Sequence, residues 1–170
     1  MFSSGMQYYI SGRYAVLAGL IPVAGNLLHH AIEMFLKGGL ARASDLKELK
    51  RLRHNVPETW KLFKVRFEQP ELDRFDSVIN SVHAFEDLRY PDSLLLKGAR
   101  MMVGVSGAAQ LGKAEQIGQV PSYELYLSEI DPLVHSIFTT ASVDARFLYL
   151  GMNSRAHQYF TEGNLPTWAV

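Results

Sequence analysis

The sequence predicts a mainly α fold, an up-and-down helical bundle with a small antiparallel β insertion around residues 93–128. Three observations predict it. Apolar residues recur at helical spacing through most of residues 7–87. The run Asn55-Val-Pro-Glu58 has the residue order of a helix start. Beyond residue 92 the pattern changes, and two apolar runs flank Lys97-Gly98 in the manner of a hairpin.

Residues 7–21 place apolar side chains at 10, 14, 17 and 21, one face of a helix. Pro22 breaks that helix or opens the next. Residues 25–40 read as a second helix with Leu28, Ile32, Phe35 and Leu36 as its stripe and Gly38-Gly39 as its stop. A short helical piece at 45–53 precedes Asn55, which caps a helix to about Phe67 with Glu58 completing a capping box. Val56, Trp60, Phe63 and Phe67 share its inner face. One further helix spans 70–87, with Leu72, Phe75, Ile79, Val82 and Phe85 or Glu86 in phase, and Arg89-Tyr90-Pro91-Asp92 ends it.

After the hairpin at 93–107, residues 122–128 alternate as a third strand, with a helix as the competing reading. Asp131-Pro132 reads as N-cap and first residue of a helix to Thr140, and Ser142 as the cap of a last helix to about Glu162. The whole is read as one domain, residues 1–170, with a bundle core at 1–92 and two C-terminal helices at 131–162. Short links between the early helices favour antiparallel neighbours.

Composition narrows the chemistry. The 17 basic and 17 acidic residues balance, so no global field draws the chain toward nucleic acid or anionic lipid. There is no cysteine, which excludes disulfides, thiolate nucleophiles and cysteine-ligated metal. The opening MFSSGMQYYISGR lacks a basic segment followed by a clean apolar one, so the expectation is a cytoplasmic protein. The apolar run at 14–28 is interrupted by Pro22 and shorter than the ~20 residues of a membrane span, and no membrane association is expected.

The charges segregate along the chain. Residues 41–66 carry a net charge of +5 and residues 67–92 a net charge of −5. One reading has these segments neutralising each other across a helical hairpin, each exposed pair contributing under ~1 kcal/mol. The other has a phosphate-binding face. Arg53 falls in register with the apolar positions around it, where a carboxylate such as Glu86 or Asp87 is the expected partner.

The segments Ala31–Leu40, Leu49–Leu62 with Arg53-His54-Asn55 at its turn, and Val82–Asp92 with its closing LRYPD follow one another in a known order. In this the first 90 or so residues resemble the HEPN (higher eukaryotes and prokaryotes nucleotide-binding) domain family. The resemblance implies a bundle of four or five helices, often dimeric. It also implies either a metal-independent RNase, using an arginine and a histidine with four to six residues between them, or a non-catalytic member that binds nucleotides, RNA or a partner nucleotidyltransferase. Here the nearest pairs are Arg51-x2-His54 and Arg74-x8-His83, outside that spacing.

The expectation is therefore a non-catalytic interaction or nucleotide/RNA-binding module, forming a homodimer and needing no cofactor. Its binding residues would be Arg53, His54, Asn55, Arg89 and Tyr90. The alternatives are an RNase with a rearranged pair (Arg51, Arg53 and His54) and a carrier of a small apolar ligand. His29, His30 and Glu33 share one helix as candidate metal ligands, but a site needs three or four convergent ligands, and hydrogen-bonded interhelical histidines are the expected outcome.

Overall fold

The structure is a computed structural model that describes residues 1–89, 98–107, 120–146 and 150–164. It is mainly helical. Helix α1 (Phe2–Leu17) and helix α2 (Ile21–Leu40) form its first hairpin. Gly19 makes the turn at φ +72°, and the Leu20 N–H returns to the Ala15 carbonyl at 2.8 Å. Along the hairpin Gly5 faces Phe35 and Gly12 faces Leu28, so the two helices run antiparallel. Pro22 sits in the first turn of α2, where its missing N–H costs nothing.

The stripe predicted for α2 is fully buried. On α1 the buried face is Met6, Tyr9, Ile10, Arg13 and Val16, while Tyr14 is exposed, so the expected phase is displaced. The cause is Arg13, a charged residue that an apolar count leaves out.

Helix α3 (Leu46–Arg51) is one short segment, capped by Asp45 accepting from the Glu48 N–H at 2.6 Å. Helix α4 (Val56–Phe67) begins where expected, with Asn55 Oδ1 accepting from the Glu58 N–H at 3.0 Å. The reciprocal half of the capping box does not form. The Asn55 N–H goes to the Leu52 carbonyl at 2.9 Å, and the Glu58 carboxylate pairs with Lys61 at 2.7 Å.

The single helix expected at 70–87 is three pieces: a 3₁₀ turn (Pro70–Phe75), α5 (Asp76–Ala84) and a second 3₁₀ turn (Phe85–Arg89). Leu72 with Phe75 and Phe85 with Leu88 are buried pairs three residues apart. Three residues per turn brings such pairs onto one line, which the wider α turn does less well. Phe85 fits against Gly25 of α2 so closely that a Cβ there would lie 1.9 Å from the ring.

The strands correct the expected antiparallel insertion. Strand β1 (Arg100–Gly104) and strand β2 (Ser122–Tyr126) pair in parallel, Arg100 opposite Ser122 and Gly104 opposite Tyr126. Antiparallel and parallel strands show the same side-chain alternation, so only the connection separates them. Residues 105–121 have the length a parallel crossover requires. The apolar run before Lys97 lies outside the described residues.

Helix α6 (Leu127–Thr140) follows β2 directly and contains Pro132. Asp131 is therefore no cap. It is a fully buried carboxylate that accepts from Tyr9 at 2.6 Å and pairs with Arg13. Helix α7 (Ser154–Thr161) is capped by Asn153. Ser142, expected to cap it, instead takes a left-handed φ of 53° where α6 ends. Arg13 also donates to the Tyr159 carbonyl at 2.8 Å and to the Glu162 carbonyl, which ties α1, α6 and α7 together.

Candidate functional site

Two features meet at the loop between α3 and α4. The first is an open hollow of about 630 Å³ lined by Leu46, Lys47, Lys50, Arg51 and Arg53. All but Arg53 belong to α3. Lys47 stands three residues from Lys50 and four from Arg51, so helical geometry puts their charges on one side, where like charges repel.

Farther along the chain the cations are matched. Lys64 pairs with Asp73 at 2.6 Å and Asp76 at 2.8 Å, Lys61 with Glu58 at 2.7 Å, and Arg66 with Glu48 at 3.3 Å. Among the described residues, none of the four cations lining the hollow has such a carboxylate. Charge neutralisation thus accounts for α4, and the hollow keeps its positive potential.

The second feature is a row of histidines and glutamates leading inward from His54. The His54 ring is 60% exposed, and its Nδ1 lies 3.1 and 3.2 Å from the two oxygens of Glu33 on α2. Lys37, one turn on, donates to Glu33 at 2.6 Å and also to the carbonyl of Arg53. Arg53 has a left-handed φ of 45°, uncommon for a long side chain. Lys37 therefore pins the unusual turn that presents Arg53 and His54. Burial alone would raise the Glu33 pKa, but the hydrogen bonds from Lys37 and His54 outweigh it and hold the carboxyl below its ordinary value.

From Glu33 the row continues through His30, 3.7 Å away, to the fully buried His29, stacked on His30 at 5.6 Å. His29 Nδ1 lies 2.9 Å from Glu86 Oε2 without the alignment of a hydrogen bond, and the His83 ring is 5.8 Å from His29. Glu86 turns its other oxygen to Arg89 at 2.8 Å.

The structure distributes the expected site residues unevenly. Arg51 and Arg53 line the hollow, and His54 stands next to Arg53 in the same turn. Asn55 is occupied as a helix cap. Arg53 is exposed and does not take Glu86, which serves Arg89 and His29 instead. Arg89 connects to the His54 end of the row through Glu86, His29, His30 and Glu33. Tyr90 lies outside the described residues.

His29, His30 and Glu33, the candidate metal ligands, belong to this row, but among the described residues no group of three or more such side chains is arranged to hold a metal ion. Lys37 escaped the sequence reading, although its place four residues after Glu33 is the spacing of a helical ion pair.

No helix among the described residues is long and apolar enough to cross a membrane. Comparisons with protein-family models, with curated proteins and with solved structures find no match to this chain.

Proposed function

We propose that this chain is a HEPN-like, non-catalytic binding module that takes the phosphates of a nucleotide or RNA in the hollow on α3, with His54 at its edge. The observation that carries the reading is the contrast between adjacent helices. The cations of α4 have carboxylate partners, while Lys47, Lys50, Arg51 and Arg53 crowd one hollow without them among the described residues. An anion relieves that repulsion, and releasing its counterions adds to the affinity.

Fluorescence anisotropy with a labelled RNA oligonucleotide, and competition by nucleoside triphosphate, test it over a salt series. Binding should weaken steeply with salt, and K50A or R51A should flatten the slope by about one unit. Unchanged binding after all four cations are replaced by alanine would remove the reading. The same HEPN-like reading carries a homodimer and a nucleotidyltransferase partner. Light scattering tests the first and co-expression with such an enzyme the second.

One observation favours a second reading, a metal-independent RNase. Glu33 occupies Nδ1 of an exposed His54, which leaves Nε2 for proton transfer in the turn it shares with Arg53. RNA cleavage that persists in chelator and disappears in H54A would establish it over the non-catalytic module.

A further inference from the structure

The rings beside His54 extend to a part of the surface that the phosphate reading does not use. Tyr8, on α1, is 37% exposed, whereas its neighbour Tyr9 is fully buried. The Tyr8 ring lies 5.5 Å from the His30 ring, tilted by 44°. His30, on α2, is itself 25% exposed and lies 6.3 Å from His54 at 81°. Three rings thus run from α1 across α2 to the turn before α4, and each keeps part of its surface in solvent. His30 is the anchored member, with Glu33 3.7 Å from its Nδ1 and His29 stacked on it. Arg53 lines the hollow and immediately precedes His54, so the rings and the cations meet at one turn.

We propose that Tyr8, His30 and His54 form a stacking ledge for unpaired bases of a single-stranded RNA whose phosphates occupy the hollow. The ledge rests on the phosphate-binding reading and narrows its ligand to a single strand. Such a strand needs two things from a protein surface, cations for its backbone and exposed ring faces for its bases, and this turn brings both together. Tyrosine and histidine rings are among the side chains on which splayed-out bases stack. A duplex keeps its base faces covered by their neighbours, and a bare polyphosphate has none to offer. Because every base has such a face, the ledge adds affinity with little preference for sequence.

Binding of the full chain to a labelled single-stranded RNA, and to an abasic strand of the same length and charge, tests the ledge. Tyr8→Leu removes the ring and keeps apolar bulk. It should weaken the RNA about fivefold or more and leave the abasic strand unchanged, and Tyr8→Phe should restore the wild-type affinity. Lys50→Ala should weaken both strands. If Lys50→Ala lowers RNA affinity and Tyr8→Leu does not, the ledge falls and the hollow stands; if neither variant changes binding, both fall. Equal loss on the two strands in Tyr8→Leu also overturns the ledge, since the ring would then act only through the fold. Should Tyr8→Leu fail to fold, the Tyr8 ring protons of the wild-type chain decide the matter by NMR. An upfield shift with the RNA and none with the abasic strand supports the ledge, and no shift with either overturns it.

Discussion

Glu33 receives Lys37 and His54 on one carboxylate, and Lys37 reaches on to the Arg53 carbonyl. Glu33→Gln keeps the shape and removes the charge. We expect it to cost about 1–3 kcal/mol in urea denaturation. It should also loosen the turn at Arg53 and, on the proposed binding function, lower affinity for RNA without altering any residue of the hollow. Because the folded Glu33 carboxyl sits below its ordinary pKa, its contribution is complete above that ordinary value and is lost as pH falls through the folded one. The acid limb of the wild-type stability profile should therefore be shallower in the Gln variant, read as urea midpoints at successive pH values. Asn55 presents the simpler case: Asn55→Ala removes the cap on α4 and should cost about 1 kcal/mol by the same measurement.

At the scale of elements, Gly25 and the turn Phe85–Arg89 give a packing test. Gly25→Ala places a methyl into the Phe85 ring and should destabilise by about 1–3 kcal/mol, with the loss in exchange protection centred on residues 85–89. The elements also show what the sequence makes legible. Helices α2 and α4 were readable because their apolar stripes and start signals are local: Leu28, Ile32, Phe35 and Leu36 are all buried, and Asn55 does cap α4. The beginning of α6 was not. Asp131-Pro132 has the local form of a helix start, but Asp131 is claimed by Arg13, 118 residues away, and no local pattern records such a partner. The site divides in the same way. Arg51, Arg53 and His54 stand out because they are adjacent, whereas Glu33 with His54 and Lys37 with Arg53 meet only once α2 lies beside the turn.

For the whole molecule, balanced charge conceals a strong local asymmetry. A chain of zero net charge carries a cationic hollow, so overall charge is a poor guide to its local surface. The opposite kind of charge lies inside. Arg13 and Asp131 are both fully buried and paired, with Tyr9 donating to the same carboxylate. Burial pushes the Asp131 carboxyl up, and Arg13 and Tyr9 pull against it. Removing one partner strands the other in the core, so Arg13→Met should cost about 3–5 kcal/mol in denaturant melts. Arg13→Met with Asp131→Leu should recover much of that loss.

The Arg13 guanidinium also sets an order of events in time. Its acceptors at Asp131, Tyr159 and Glu162 are 118, 146 and 149 residues downstream. On a ribosome it stays without these acceptors until residues 131–162 have been made, and in refolding it waits on long loop closures. We expect its contacts to form after the barrier has been crossed. Replacing it should speed unfolding in a chevron experiment and leave the refolding arm almost where it was.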